Sequence, residues 1–118
     1  MVTKEFSRES RLLTPSQFQN VFNKPVRFGS KHFTILVTPN KDDNNRLGLA
    51  IAKKRVKLAV QRNRIKRLVR ENFRLNQHRL PAIDMVVMVK NGIDELENKD
   101  ICLQIDKIWQ KINQRFAR

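Results

Sequence analysis

Hydrophobic residues in the first part of the chain recur with the period of a helix. Phe18, Val21 and Phe22 follow the i, i+3, i+4 spacing that places side chains on one face. Leu13 and Phe18 occupy the positions that a hydrophobic staple would join. The pattern predicts an amphipathic helix with an aromatic face.

The ends of this helix are marked by residues with known positional preferences. Thr14 fits an N-cap, Pro15 the first helical position and Gln17 the third, so a capping box is predicted. The residue before a proline avoids the helical region of backbone conformation, because the proline ring crowds it. The stretch from Asn23 to Pro25 is therefore predicted to end the helix.

Two later segments alternate with a period of two, which is typical of strands. Within 31–38 and 46–52, the larger side chains lie on one side: Phe33, Ile35, Val37, then Leu47, Leu49, Ile51. The opposite side of the first segment carries Thr34, Leu36 and Thr38, and that of the second only Gly48, Ala50 and Ala52. Such a bare face either lets a helix pack closely or forms the floor of a groove. A polar turn joins the two segments, and 26–29 is compatible with one more short strand.

Residues 59–74, AVQRNRIKRLVRENFR, combine an apolar stripe with many cations. On a helical wheel of roughly 100° per residue, the stripe around Ile65 consists of Leu58, Leu68, Val69, Asn72 and Phe73. The far side consists of Asn63, Lys66, Arg67, Arg70 and Arg74. Arg64 falls on the flank, and Arg62 at the edge of the apolar face, near enough to lean over neighbouring structure. The segment is predicted to be a docked helix that exposes a row of cations.

The last third of the chain predicts a buried strand and a long helix. Residues 84–90 contain five consecutive apolar residues, which favours a strand buried on both faces. The final helix, with Asp100 as its expected N-cap, shows one apolar stripe made of Ile101, Ile105, Ile108, Trp109, Ile112 and Phe116. The predicted order is α-β-β-α-β-α, an α/β sandwich around a small sheet in a single domain over residues 1–118.

Charge narrows the choice of partner. The 118-residue chain has 25 Lys and Arg against 11 Asp and Glu, a net charge of +14. Ten of these bases lie within 53–74, where Glu71 is the only acid. Focused positive charge favours a polyanion. A merely solubilising surface is the alternative, and an anionic membrane is disfavoured because the helix has no broad Trp, Phe or Leu face for lipid.

Other features of composition exclude several classes of protein. Cys102 is the only cysteine, so an internal disulfide is excluded and a reduced, cytoplasmic setting is expected. No apolar run approaches the ~18–20 residues of a membrane span, and the N-terminal residues do not resemble an export signal. No membrane partner is expected.

The sequence offers little material for a protein active site. His32 and His78 fall into no metal-ligand spacing with Cys102, and Asp42 and Asp43 fit a solvated turn. No glycine-rich phosphate loop and no pair of clustered carboxylates is present. We therefore expect no catalytic residue, no metal site and no cofactor in this chain, which argues against a self-contained nuclease.

Two groups of residues suit nucleic acid instead. The planar guanidinium of arginine engages phosphate oxygens in two parallel hydrogen bonds and stacks on bases. Lys53, Lys54 and Arg55 would extend the cationic row before the helix. Aromatic side chains at Phe18, Phe22 and Phe33 either stack on unpaired bases or belong to the core, and the pattern leaves both open.

The stretch 48–74, GLAIAKKRVKLAVQRNRIKRLVRENFR, resembles the signature region of the bacterial ribonuclease P protein subunit family. In that family a strand leads through a Lys-Lys pair into a helix with Arg-Asn-Arg followed by Ile-Lys-Arg. Residues 11–22, RLLTPSQFQNVF, and 84–90, DMVVMVK, are also similar, so the resemblance covers nearly the whole chain. It implies an α+β two-layer sandwich of order α-β-β-β-α-β-α, with a small mixed sheet. It also implies a left-handed β-α-β crossover through the basic helix, against the usual right-handed preference.

The resemblance further implies two RNA-binding surfaces. The surface that meets the catalytic RNA consists of Arg62, Asn63, Arg64, Lys66, Arg67 and Arg70. The second, a cleft for a single-stranded leader, consists of Phe18, Phe22, Leu36, Lys53 and Lys54. Leu36 stands where the family can carry tyrosine, so apolar contact is the most it can offer.

The function implied by the resemblance is that of an accessory subunit. Ribonuclease P removes the 5′ leader of precursor tRNA, and in bacteria its catalytic component is RNA. The expected partners are the catalytic RNA and precursor tRNA, with the chain as a monomer within the holoenzyme and Mg²⁺ held by RNA. The alternative is a plain nucleic-acid binder, such as a ribosomal or helix-in-groove DNA protein, which would not lower the magnesium requirement of the catalytic RNA.

Overall fold

A computed structural model of the protein describes residues 11, 14–40 and 44–116. Within these residues the chain forms three α-helices and four strands in the order α-β-β-β-α-β-α. Their bounds are α1 Pro15–Asn23, β1 Val26–Gly29, β2 Phe33–Pro39, β3 Arg46–Ala50, α2 Ala59–Asn76, β4 Ile83–Val89 and α3 Asn98–Arg115. The observed order confirms the one that the resemblance implies, including the short strand at 26–29.

The four strands form one mixed sheet in the order β1-β2-β4-β3. β2 runs antiparallel to both β1 and β4, whereas β3 and β4 are parallel neighbours. Since α2 lies between β3 and β4 in the chain, it is the crossover that parallel neighbours require. The mixed sheet and the crossover through the basic helix are thus confirmed, and the hand of the crossover stays a prediction.

The sheet separates two unequal hydrophobic clusters. Ile35 and Val37 of β2 and Val87 of β4 belong to the large core that α2 and α3 cover. Their neighbours Leu36 and Val86 point to the opposite face and pack with Val21 of α1 in a small second cluster. β4 is central in the sheet and buried on both faces, as its apolar run predicts. The two long helices and the sheet form the main layers, and α1 covers part of the other face.

The N-terminus of α1 has the predicted capping box. The Thr14 hydroxyl accepts a hydrogen bond from the Gln17 backbone N–H at 3.2 Å, and the Gln17 side chain accepts one from the Thr14 N–H at 3.1 Å. The helix ends at Asn23, also as predicted. The staple partner Leu13 and the turn residues Asp42 and Asp43 lie outside the described residues.

α2 and α3 pack through their apolar stripes. Ile65, Val69 and Phe73 of α2 are fully buried, and the Phe73 ring meets the Trp109 ring edge to face with 6.2 Å between centroids. The indole N–H of Trp109 donates to the Asn72 carbonyl oxygen at 2.6 Å. This bond explains why a polar residue lies in the apolar stripe, because a buried indole N–H needs an acceptor.

Two local predictions are wrong. Leu58 was assigned to the apolar stripe of α2, but it is the N-cap residue, with extended backbone, and its side chain is 62% exposed. A helical wheel does not apply to a residue that precedes the helix. Asp100 lies in the first turn of α3, whose N-cap is Glu97.

Candidate nucleic-acid interface

The side of α2 that faces away from the core carries the α2 row, which we define as Asn63, Lys66, Arg67 and Arg70. Asn63, Arg67 and Arg70 are exposed and Lys66 is partly exposed. Among the described residues, none of these cations forms an ion pair, because the pairs present join other residues. Their charge is therefore available to an external anion.

Glu71 directly follows this row in the chain and forms an ion pair with Arg74. The Arg74 guanidinium donates to both carboxylate oxygens of Glu71. This hydrogen bond lowers the pKa of Glu71 and raises the pKa of Arg74. The single acid within 53–74 is thus paired with the last cation of the segment, and Arg67 and Arg70 keep their charge.

Arg62 is directed toward the protein. Its Nη1 donates to the backbone carbonyls of Val56 at 2.9 Å and Lys57 at 2.8 Å. These carbonyls belong to the connector between β3 and α2, so the guanidinium ties the connector to the first turn of the helix. The predicted position at the edge of the apolar face, close to neighbouring structure, is confirmed.

Arg64 bridges α2 and α3. Its Nε donates to Gln61 Oε1 at 2.9 Å, its Nη1 to Asn98 Oδ1 at 2.6 Å and its Nη2 to the Asp94 carbonyl at 3.2 Å. All three nitrogens of the guanidinium thus have a partner within the protein. No carboxylate takes part, so the positive charge is retained while the direction of the side chain is fixed.

The connector between β3 and α2 presents further cations. Lys53, Lys54 and Arg55 form an exposed turn, closed by hydrogen bonds from the N–H groups of Arg55 and Val56 to the Ala52 carbonyl at 3.0 and 3.1 Å. Val56 is fully buried and anchors the turn. The paired lysines therefore lie on an ordered turn directly before the basic helix.

The aromatic candidates divide between core and surface. Phe33 is fully buried, so the core alternative holds for it. Phe18 is partly buried against the small cluster under α1, while Phe22 is 43% exposed. Leu36 is only 4% exposed and lies within that cluster, so direct contact with a leader would require α1 to move.

The bare face of β3 lies on the same side of the sheet as α1. Gly48 pairs in register with Val86, and Ala50 with Met88, and both partners carry side chains on the α1 side. α1 packs chiefly on β2 and β4, and Ala50 and Ala52 stay exposed. Close packing of a helix therefore does not apply at Ala50 and Ala52, and the groove floor stays a prediction there.

A depression that the sequence did not indicate lies at the C-terminal end of α1. It has a volume of about 700 Å³, and its lining includes Asn20, Lys24 and Thr38. At its base Arg46 donates to Asp84 through Nε at 2.8 Å and Nη2 at 3.2 Å. Four different elements supply these residues, so no sequence spacing could have revealed the site.

Two classes of site find no support within residues 14–40 and 44–116. No three His, Cys, Asp or Glu side chains of this part of the chain lie close enough to hold a metal ion. None of its helices is both long and apolar enough to span a membrane.

Known proteins resemble this chain in both sequence and fold. The family model of Ribonuclease P matches residues 6–113. The ribonuclease P protein component of Pseudoalteromonas translucida (strain TAC 125) is 57% identical over 110 residues, 93% of this chain and 79% of that protein.

Solved structures agree. A Staphylococcus aureus RNase P protein mutant with defective mRNA degradation activity matches with a TM-score of 0.83 at 27% identity, covering 88% of both chains. The RNase P protein from Thermotoga maritima has a TM-score of 0.77 at 27% identity, covering 86% of this chain and 96% of that one. The chain therefore belongs to the ribonuclease P protein family, as a component of the tRNA-processing ribonuclease P and a partner of its RNA.

Proposed function

We propose that the α2 row binds the catalytic RNA of ribonuclease P and that the α1 side of the sheet contacts the 5′ leader of precursor tRNA. Removal of the leader by the RNA is thereby promoted. The observation that carries this proposal is the row of exposed cations without acidic partners among the described residues. Like charges crowded on one helix repel each other, and RNA phosphates would relieve that repulsion while releasing counterions.

Within the basic helix we assign different roles to its arginines. Asn63, Lys66, Arg67 and Arg70 would contact RNA directly, because their polar groups face solvent. Arg62 and Arg64 would support that contact chiefly by holding α2 in place, since their guanidinium groups already bond to the connector and to the start of α3. Arginine has five N–H donors, so each can add one bond to RNA without losing these contacts.

The proposed leader surface combines the partly exposed Phe18 and Phe22 with the open floor at Ala50 and Ala52. Aromatic rings stack on unpaired bases without selecting a sequence. Lys53 and Lys54, which follow this floor in the chain, would neutralise leader phosphates. Mature tRNA lacks the leader, so such contacts would favour substrate over product. Leu36 is left out of the contact set because it is buried.

Hydrolysis is assigned to the RNA. Mg²⁺ is commonly bound through phosphate oxygens, and metal-assisted attack by water needs no protein base. The chain would lower the repulsion between catalytic RNA and precursor, and so reduce the magnesium needed to bring them together. A monomeric chain within the holoenzyme and a cytoplasmic location are part of the same proposal.

The test is cleavage of precursor tRNA by the catalytic RNA at low magnesium, with and without the protein. Wild-type protein should restore cleavage, Arg67→Ala should restore it poorly, and the protein alone should cleave nothing. Lys107→Ala, which removes an exposed cation of α3, is the matched control. Tight RNA binding without any stimulation of cleavage would favour a plain nucleic-acid binder instead.

A further inference from the structure

Two large aliphatic residues are exposed at the start of α2. Leu58 is the N-cap residue, and Val60, the second residue of the helix, is 70% exposed. We call this pair the aliphatic tip. Single exposed apolar residues are ordinary on protein surfaces. Here two within three residues are left exposed by the described residues, on a helix otherwise rich in cations.

The backbone beneath the tip is held firmly. The N–H groups of Gln61 and Arg62 donate to the Leu58 carbonyl at 3.1 and 3.0 Å. The Arg62 side chain bonds to the two carbonyls before Leu58, and Val56 is fully buried. Little conformational freedom of the backbone remains to be lost when a partner binds, which favours affinity.

The surroundings of the tip indicate the chemistry of its partner. Lys53, Lys54, Arg55 and Lys57 are all exposed on the adjoining connector. The sequence from residue 44 to residue 70 contains no acid. A neutral or basic protein surface would leave these charges uncompensated. An unpaired stretch of RNA offers what fits both features, since base faces are apolar and the flanking phosphates are anionic.

We propose that the aliphatic tip packs against unstacked nucleobases of the catalytic RNA, while Arg55 and Lys57 of the connector neutralise the adjacent phosphates. This inference rests on the proposed function and adds an apolar contact to a surface otherwise described by charge. An apolar contact releases no counterions, so its loss weakens binding equally at low and high salt. Truncating both side chains should weaken binding by roughly 5- to 30-fold.

The test compares the double variant Leu58→Ala, Val60→Ala with Leu103→Ala, an exposed leucine of α3. All three residues are exposed, so both variants should keep the fold, which melting curves check. Affinity for the catalytic RNA is measured at four salt concentrations. The expected result is a parallel downward shift of the log–log line for the double variant and no shift for Leu103→Ala.

Three results would overturn the inference. The double variant could bind like Leu103→Ala, or its salt slope could fall together with its affinity. The tip could instead mediate self-association, seen by sedimentation, with RNA affinity unchanged on its removal. If the double variant unfolds, Leu58→Gln alone, at the N-cap, decides between the same outcomes. Failure of wild-type protein to bind the catalytic RNA at all would instead refute the proposed function.

Discussion

The four arginines of α2 that were predicted to bind RNA occupy two different environments. Arg62 and Arg64 donate hydrogen bonds to the connector and to the start of α3. Arg67 and Arg70 lie one to two turns further along and have no hydrogen bond or ion pair within the described residues. The same residue type therefore serves two purposes on a single helix.

A helix crowded with cations can therefore be well ordered and still attract a polyanion. Arg62 and Arg64 bond to neutral carbonyl and amide oxygens, so they fix the helix without cancelling its charge. Carboxylate partners would have fixed it equally well but would have removed the attraction to a polyanion. The choice of neutral acceptors preserves the field that Arg67 and Arg70 present to RNA.

The largest effect is expected from removing Arg67 and Arg70, the two arginines of α2 without a partner among the described residues. Arg67→Ala with Arg70→Ala should weaken binding of the catalytic RNA by about 10²–10⁴-fold, since each lost hydrogen bond to a charged group contributes about 1.5–3 kcal/mol. The slope of log affinity against log salt should become shallower by about two. The control Lys107→Ala with Arg115→Ala makes the same change in net charge on α3. An equal loss in the control would show that only net charge matters.

Arg62→Ala should act mainly on stability. Two carbonyls of the connector lose their donor, which should lower the free energy of unfolding by about 1–3 kcal/mol. Arg67→Ala, an exposed site, should change it by less than about 0.5 kcal/mol. Denaturant unfolding of both variants measures the difference. Equal stability of the two variants would refute the distinction between arginines that are bonded within the protein and arginines that are exposed to solvent.

Arg64 and its partner Asn98 should behave as a unit. Arg64→Ala and Asn98→Ala should each weaken RNA binding by about 3- to 10-fold, and the double variant should be little worse than either one. A double-mutant cycle should then give a coupling energy of about 0.6–1.4 kcal/mol, which is the size of one single effect. Strict additivity would instead place the main contact of Arg64 on the RNA.

The smallest effect is expected at Glu71. Glu71→Gln frees Arg74 from its carboxylate partner and should tighten RNA binding by about two-fold, through one added cation.

The pKa of Glu71 is lowered in the folded state. The ion pair therefore stabilises the wild-type fold above the ordinary glutamate pKa, and its contribution is lost as the pH falls through the lowered pKa. Melting curves of both proteins between about pH 3 and 7, a range that includes the ordinary glutamate pKa, check the direction of this pH dependence.

Much of the fold could be predicted from patterns among residues that are close in the sequence. The capping box at Thr14 and Gln17 depends on residues three apart, so the sequence alone defined the start of α1. The stripe of Ile65, Val69 and Phe73 depends only on the helical period. The same method failed at Leu58, because the wheel assumed that Leu58 is helical, whereas the helix begins one residue later, at Ala59.

The hydrogen-bond partners of the arginines could not be predicted from such local patterns. Asn98 lies 34 residues from Arg64 in the chain, and only the packing of α3 against α2 brings them together. Leu36 shows the same limit: its place on β2 was correct, but its burial depends on α1 crossing that face of the sheet. Contacts between distant elements decide which predicted site residues are free.

The cations of α2 that have no acidic partner among the described residues are proposed to hold RNA by charge. The most direct test is the affinity of wild-type protein for the catalytic RNA from about 50 to 200 mM salt. Neutralising six to ten phosphates predicts a loss on the order of 10³–10⁵-fold across this range. An affinity that stays constant over the same range would contradict the account.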